Sequence, residues 1–175
     1  FLILLGDGVV ANVVLNKTKG NSGGWIVITF GWAIAVFVGV YVSAAQSGAH
    51  LNPAVTIALA TADKFDWALV PIYIAGQFAG AMIGAFLVWV TYKKHFDETA
   101  DVDTKLAVFC NSPAIPNIPY NVATEIIGSF ALVFGIFFIT GADAGLRSLD
   151  ALPVALLVLG IGLSLGGPTG YAINP

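Results

Sequence analysis

The chain has 175 residues, of which 58% are hydrophobic and only 10% are charged, and its net charge is −3. A soluble domain carries roughly 25% charged residues, so this composition, with a mean hydropathy of +0.89, indicates a protein of the lipid bilayer. The negative charge leaves no basic patch for a nucleic-acid partner. The single cysteine, Cys110, permits no internal disulfide and matches no metal-binding spacing.

Five apolar stretches follow one another along the chain and predict membrane spans at residues 2–15, 25–45, 67–92, 122–141 and 152–166. The second, third and fourth reach the roughly 20 residues that cross about 30 Å of hydrocarbon, whereas the first and fifth are short. Phe1 already lies within an apolar run, and Pro175 ends the chain in the middle of a motif. We therefore expect truncation at both ends.

Polar connectors separate these spans at residues 16–24, 63–66, 93–120 and 142–150. The third connector is long and is broken into extended pieces by three X-Pro dipeptides, ending at Pro113, Pro116 and Pro119. It predicts a surface cap between two halves of one channel domain, with a first repeat at about residues 1–92 and a second at about 121–175.

Residues 47–60, SGAHLNPAVTIALA, contain an apolar segment too short to be a span. Its helical part, residues 53–60, would be only about 12 Å long. Asn52 is a favoured helix N-cap, and Pro53 at the first helical position has no N–H to leave unsatisfied. Because irregular backbone at membrane depth must line water or lie inside protein, we interpret the segment as a re-entrant half-helix. A single Asn-Pro, taken alone, is more often an ordinary turn.

A second copy of the motif favours the re-entrant interpretation. The chain ends in GPTGYAINP, so that Asn174 and Pro175 repeat Asn52 and Pro53 after another apolar span. Three predicted spans lie between the copies, and an odd number of crossings makes the two segments enter from opposite faces. Interrupted segments at matching positions of two inverted halves indicate a permeation or binding site at the midplane.

SGAHLNPAVT and GYAINP resemble the two signature motifs of the aquaporin family, and closely its glycerol facilitator (aquaglyceroporin) branch; the resemblance covers the whole chain. It implies an all-α membrane protein, a right-handed helical bundle of two inverted repeats with two re-entrant half-helices, of which five spans are present and the sixth is missing. It also implies a multi-pass protein of the plasma membrane, a homotetramer in the bilayer with one pore per subunit, and no cofactor. Its pore motifs map onto Asn52, Pro53, Ala54, Asn174 and Pro175.

The resemblance assigns a selectivity filter to Trp32, Gly162 and Tyr171, together with an arginine expected two residues after Pro175. Trp32 and Tyr171 would form an apolar wall for a carbon backbone, and Gly162 would leave room beside it. A water-selective member is expected to carry histidine in place of Gly162 and phenylalanine in place of Trp32. Tyr171 stands where a glycerol facilitator is expected to have phenylalanine, which leaves the substrate range open.

Residues around the two breaks are expected to line the pore through their backbone: Gly48, Ala49, His50, Leu51, Gly170, Ala172 and Ile173. The His50 ring either lines the inner vestibule or bonds a neighbouring carbonyl, and both interpretations stand. By the resemblance, Glu125 accepts backbone N–H groups of the second re-entrant segment, and Gln77 has a similar buried role near the first. Asp7, inside the first span, is expected to face a cavity or to bond a loop.

Two further patterns accompany the spans. Small residues recur every four positions in the second and third spans and predict close helix packing: Gly31, Ala35, Gly39 and Ser43, then Gly76, Gly80 and Gly84. With the amino end in the cytoplasm, as the family implies, most cations would lie outside, against the positive-inside bias. Those outside are Lys17, Lys19, Lys93, Lys94 and Lys105, and those inside are Lys64 and Arg147.

The leading hypothesis is a passive channel for glycerol and similar small uncharged solutes, with water also passing. Asn52 and Asn174 would donate N–H bonds to the solute at the midplane, while two half-helix N-termini would repel protons and other cations. The alternatives are a channel for water or for a small neutral organic acid, or an ion-coupled carrier, which would need carboxylates at the breaks. An enzyme is not expected, because no nucleophile–base pair or metal cluster is visible.

Overall fold

The computed structural model of the chain describes residues 1–139 and 149–175. Within these residues the fold is all α, with seven α-helices and one 3₁₀ turn at Trp67–Leu69 and no strand. The helices are α1 Leu2–Val14, α2 Trp25–Ser47, α3 Pro53–Thr61, α4 Val70–Glu98, α5 Val102–Leu106, α6 Ile118–Ile139 and α7 Leu152–Leu165. Arg147, most of the connector 142–150 and the last two residues of the fourth predicted span lie outside the described residues.

Three helical segments are long and apolar enough to cross a membrane, by their length and composition. They are Trp25–Ser47, Trp67–Glu98 and Ile118–Ile139, with 23, 32 and 22 residues. α1 and α7 are shorter apolar helices. The five predicted spans therefore coincide with five apolar helices, and the all-α membrane fold expected from the sequence is confirmed.

Helix α4, which contains most of the third predicted span, extends further than hydropathy indicated. The predicted span stops at Tyr92, but α4 continues to Glu98, and part of the connector forms the short helix α5. Apart from the buried Phe96, the residues of α4 after Tyr92 are polar, and lysine and glutamate are good helix formers in spite of their charge. Hydropathy thus detected the apolar part of α4, while helix propensity sets its end.

Helix packing brings the two halves of the bundle together. α1 packs on α2 and α4, α2 packs on α7, and α6 packs on α7, while α3 contacts both α4 and α6. α2 and α7, the spans that precede the two Asn-Pro motifs, are therefore neighbours at the centre. This arrangement places both motifs next to one another.

Only some of the small residues predicted to permit close packing do so. A Cβ placed on Gly31 would lie 2.4 Å from Val9 Cγ1, and one on Gly84 would lie 2.9 Å from Ile3 Cβ, so α1 presses closely on both α2 and α4. Gly76 and Gly80, in contrast, have no atom within 4 Å of such a Cβ among the described residues. The four-residue spacing in α4 therefore marks a close contact at Gly84 alone.

Candidate functional site

The site is built where the two irregular segments meet. Asn52 Nδ2 donates to the Ile173 carbonyl at 2.7 Å, and Asn174 Nδ2 donates to the Leu51 carbonyl at 3.0 Å. Each asparagine thus bonds the residue that precedes the other asparagine. Asn52 is buried, and its Oδ1 also accepts the Ala54 N–H at 2.8 Å, which makes it the N-cap of α3 with Pro53 in the first turn.

The two segments share an unusual backbone conformation. Positive φ occurs four, three and one residues before each asparagine: at Gly48, Ala49 and Leu51 in the first segment, and at Gly170, Tyr171 and Ile173 in the second. The four non-glycine residues have φ between 39° and 54°, a conformation that costs about 1 to 3 kcal/mol per residue and persists only where surrounding contacts enforce it. Strain of this kind, repeated at matching positions, indicates a functional site.

Glu125 supports the second segment from α6. Its two carboxylate oxygens accept the N–H groups of Ala172 and Ile173, each at 3.2 Å. A carboxylate has only acceptor capacity, so it suits two converging donors. The carboxylate thereby fixes the two peptide groups that flank Ala172, between Tyr171 and Ile173, which both have positive φ.

The connector after α5 is hydrogen-bonded to the same segment. Asn111 Nδ2 donates to the Gly170 carbonyl at 2.6 Å, and the Ala114 N–H donates to the Pro168 carbonyl at 2.9 Å. This role of Asn111 was not predicted from the sequence, because a polar residue in a proline-rich connector carries no periodic signal. The connector is therefore part of the site and not only a cap over it.

Thr56 organises the first segment from within α3. Its hydroxyl donates to the Asn52 carbonyl at 3.0 Å and accepts from Gln77 Nε2 at 2.9 Å. Because a threonine hydroxyl has one hydrogen, the 3.1 Å contact between Thr56 Oγ1 and His50 Nδ1 requires His50 to be the donor. With the Thr56 hydrogen assigned to the Asn52 carbonyl, the contact suits the His50 tautomer that carries its proton on Nδ1 and leaves Nε2 as an acceptor.

The His50 ring is enclosed by aromatic side chains. Its centroid lies 4.6 Å from that of Phe65 and 5.0 Å from that of Tyr73. The Tyr73 hydroxyl in turn donates to the Ser47 carbonyl at 3.1 Å. His50 therefore bonds Thr56 and also faces the cavity described below, so the two roles left open by the sequence are compatible.

Tyr171 and Gly162 are in direct contact. A Cβ on Gly162 would lie 2.8 Å from Tyr171 Cζ and 2.9 Å from Thr29 Cγ2. Tyr171 is buried with Val55, Leu132, Val158, Ile161 and Ile173, and Trp32 packs against this cluster. The space beside Gly162, expected to be free, is thus filled by the Tyr171 ring.

Trp25 is a second tryptophan at this place that the sequence analysis missed. Its Nε1 donates to the Gly162 carbonyl at 2.9 Å, and its ring meets Tyr171 edge to face, with centroids 5.7 Å apart. Trp32 lies deeper, with its ring so close to α1 that a Cβ on Gly6 would be 2.3 Å from Trp32 Cζ3. The seven-residue spacing of the two tryptophans, which places them on one helix face, was the available signal.

A cavity of about 1080 Å³ joins these features. Among the predicted residues, it is lined by Trp32, Gly48, Ala49, His50, Leu51, Asn52, Pro53, Gln77, Gly170, Tyr171, Ala172, Ile173, Asn174 and Pro175, and also by Asp7. Gly162, Ala54 and Glu125 do not line it. Gly162 lies beneath the Tyr171 ring, and Glu125 lies behind the second segment. Both residues therefore affect the cavity wall through other residues.

The wall of this cavity offers hydrogen bonds beside apolar surface. The carbonyls of Leu51, Ile173 and Gly170 each accept one asparagine N–H, and every carbonyl oxygen has a second lone pair. Within the described residues, no three His, Cys, Asp or Glu side chains come together. The arrangement can bind and pass a neutral molecule that carries hydroxyl groups.

Comparison with known proteins gives a consistent result. The family model described as major intrinsic protein matches residues 1–175. A probable glycerol uptake facilitator protein of Thermotoga maritima is 57% identical over 174 residues, covering 99% of the chain and 74% of that protein. The glycerol uptake facilitator protein of Streptococcus pneumoniae R6 is 53% identical with the same coverage. The crystal structure of the aquaglyceroporin from Plasmodium falciparum is similar with a TM-score of 0.85 at 33% identity, covering 99% of the chain and 71% of that structure.

Proposed function

Because the chain belongs to the major intrinsic protein family, we propose that it is a passive channel for glycerol and similarly small uncharged solutes, with water also passing. Relatives named glycerol uptake facilitators at 57% and 53% identity support this substrate. The observation that carries the proposal is the reciprocal pair of bonds from Asn52 to Ile173 and from Asn174 to Leu51. Those bonds orient both amides at one place in the cavity wall.

Each asparagine amide has two N–H donors, and one of them is used in the reciprocal pair. The second N–H of Asn52 and of Asn174 is the donor that a passing hydroxyl oxygen meets. The hydroxyl hydrogen needs an acceptor, which the carbonyls of the two segments and His50 Nε2 supply. A polyol can thus exchange its water bonds for protein bonds without any covalent step.

Charge exclusion follows from the same geometry. Asn52 caps the N-terminus of α3, where the helix dipole places a partial positive charge. A cation that reaches this point meets that charge and the amide donors, and it loses its hydration shell. A neutral solute loses little hydration free energy at this point. The site therefore selects against charged solutes.

The apolar side of the wall selects carbon-bearing solutes. Tyr171, Ile173, Val55 and Leu132 form one buried cluster, and Trp32 packs on it. A glycerol molecule can lay its carbon backbone on this surface while its hydroxyls face the carbonyls and amides. This division between apolar and polar walls is the basis for admitting small polyols.

An ion-coupled carrier fits the site less well. Glu125 is the carboxylate that contacts a break, and both of its oxygens already accept backbone N–H groups; Asp7 lines the cavity but makes no hydrogen bond to either break among the described residues. Glu125 is therefore occupied as a support for the second segment. Ion coupling would require a carboxylate that is free to bind and release an ion during transport.

Passive transport has a direct test. In vesicles that contain the full-length protein, glycerol should equilibrate at the same rate with and without an imposed proton or sodium gradient, because no titratable group is cycled. Glycerol entry is measured by light scattering against protein-free vesicles. Accumulation of glycerol above its external concentration, driven by either gradient, would exclude the channel.

The cation barrier is tested by Asn52→Asp. The carboxylate keeps the acceptor for the Ala54 N–H, but it loses the donor to Ile173 and adds a negative charge beside the α3 N-terminus. We expect a measurable cation leak and a fall in glycerol flux of about tenfold, since losing a buried donor costs about 1 to 3 kcal/mol. Dye-reported vesicle potentials measure the leak.

Asn117→Asp is the matched control for this change. Asn117 lies in the exposed connector, where its Oδ1 accepts the Tyr120 N–H, and aspartate keeps that bond. It should leave both fluxes at the level of the parent. Equal cation leak in the parent and in Asn52→Asp would place the barrier elsewhere.

The assembly and location follow as parts of the same proposal: a homotetramer that spans the plasma membrane. Its support is the row of exposed rings at four-residue spacing on α6, namely Phe130, Phe134 and Phe138, whose neighbouring centroids are 5.3 and 4.8 Å apart. An exposed aromatic row of this kind suits contact with lipid or another subunit. Mass measurement of the protein released from membranes in mild detergent should give four chains per particle.

A further inference from the structure

Trp25 is bonded to the end of a neighbouring helix. It is the first residue of α2, and its indole Nε1 donates to the carbonyl of Gly162 in α7 at 2.9 Å. The last four carbonyls of an α-helix lack partners within that helix, and α7 ends at Leu165. The indole thus satisfies one of the terminal carbonyls of α7, and this bond fixes the position of its ring.

Two glycines one turn apart make room for the rings of Trp25 and Tyr171: Gly162 in α7 and Gly166, the residue that caps its C-terminus. A Cβ on Gly166 would lie 2.4 Å from Tyr171 Cδ1 and 2.7 Å from Trp25 Cζ2, and one on Gly162 would lie 2.8 Å from Tyr171 Cζ. No side chain larger than hydrogen fits at either position without moving a ring. Both rings therefore lie directly on the backbone of α7.

The Tyr171 ring is held in place by packing and by no hydrogen bond of its own. Its hydroxyl is buried and has no hydrogen-bond partner among the described residues. Its own backbone is in the left-handed region, with φ of 43°, which a non-glycine residue adopts at a cost. The orientation of the ring consequently depends on packing, and Trp25 is the packing partner that is itself anchored by a hydrogen bond.

We propose that Trp25 is a positioning residue for solute size selection: it holds the Tyr171 ring on Gly162 and Gly166 and thereby sets the aperture that a small polyol must pass. The inference rests on the proposed function, in which Tyr171 forms part of the cavity wall. Trp25 also lines the cavity, and its effect on solute size is exerted through the Tyr171 ring that it holds.

Removal of Trp25 should widen the aperture. In Trp25→Ala the space vacated by the indole lies beside the Tyr171 ring, and the ring relaxes outward into it, because an empty space in a packed wall is unfavourable. A five-carbon polyol should then pass more readily relative to glycerol, by about three- to tenfold, the range expected for loss of one aromatic pair. Water flux should stay within about twofold, since water is smaller than either aperture.

The experiment compares permeability to glycerol, to the five-carbon polyol xylitol and to water in vesicles with equal amounts of full-length protein. Trp67→Ala is the control, because Trp67 is exposed in the 3₁₀ turn before α4. Trp25→Phe keeps a ring without the Nε1 donor, so a partial rescue of the xylitol-to-glycerol ratio is expected. It also serves in place of Trp25→Ala if that variant cannot be recovered from membranes.

A second pair of variants tests that Trp25 acts through Tyr171. In a Tyr171→Ala background, adding Trp25→Ala should leave the xylitol-to-glycerol ratio unchanged, because there is no ring left to position. A further change in that background, or an unaltered ratio in Trp25→Ala with Tyr171 present, would overturn the inference. Failure of the parent protein to conduct glycerol would instead overturn the proposed function, so the two failures are distinguishable.

Discussion

Replacing Gly162 by alanine should lower glycerol permeability by about fivefold to a hundredfold, the effect expected when overpacking costs about 1 to 3 kcal/mol. The new Cβ would lie 2.8 Å from Tyr171 Cζ and 2.9 Å from Thr29 Cγ2. Thr29 is fully buried between helices and cannot retreat. The Tyr171 ring has to move, and the direction left open to it is the cavity that it lines.

The matched control for this change lies two residues away in the same helix. A Cβ on Gly160 would meet no atom within 4 Å, and alanine is the better helix former by about 1 kcal/mol. Gly160→Ala should therefore keep both glycerol and water permeability. If Gly162→Ala also keeps its glycerol permeability, or loses water permeability in the same proportion, Tyr171 does not control the aperture.

Removing the carboxylate of Glu125 should lower permeability about as much as Gly162→Ala does. In Glu125→Ala the N–H groups of Ala172 and Ile173 lose their acceptors, at a cost of about 1 to 3 kcal/mol for each group left unpaired. The second segment would then leave its strained conformation, and the Ile173 carbonyl would move away from Asn52. We expect the permeability to glycerol and to water to fall together, each by about tenfold or more, because the whole wall is displaced.

Two variants make the Glu125 test specific. Glu125→Gln keeps one acceptor oxygen and turns an N–H group towards the other donor, so it should lose more than half of the flux but less than Glu125→Ala. Glu98→Gln makes the same chemical change in an exposed ion pair with Lys17, where such pairs contribute little, and should match the parent. Full flux in Glu125→Ala would show that the segment holds its shape without this support.

Local sequence patterns were sufficient to predict the elements of the fold. Runs of apolar residues located α2, α4 and α6, because crossing hydrocarbon requires about 20 such residues in a helix that satisfies its own backbone. Asn52 and Pro53 located the start of α3, because N-cap chemistry and the missing proline N–H are local properties. The end of α4 was missed, since helix propensity extends past the apolar residues on which that prediction relied.

The residues that shape the cavity were predicted less completely. Gly162 and Tyr171 were both named as filter residues, but the sequence could not indicate that the Tyr171 ring fills the space beside Gly162. Trp25 and Asn111 were missed because their partners, the carbonyls of Gly162 and Gly170, are distant in the chain. For Asn111 such a bond leaves no pattern in the surrounding sequence, whereas the seven-residue spacing from Trp32 placed Trp25 on the same helix face without indicating its partner.

The sequence by itself determined that this is an all-α membrane protein with two similar interrupted segments, since hydropathy, helix capping and the repeated Asn-Pro are encoded in neighbouring residues. Only the tertiary structure decided how those segments hold one another. Packing of α2 on α7 brings Asn52 to Ile173 and Asn174 to Leu51, and contacts from Glu125 and Asn111 hold the backbone of the second segment at positive φ. The physical reason is that a strained backbone is maintained by distant partners, and these become neighbours only when the helices pack.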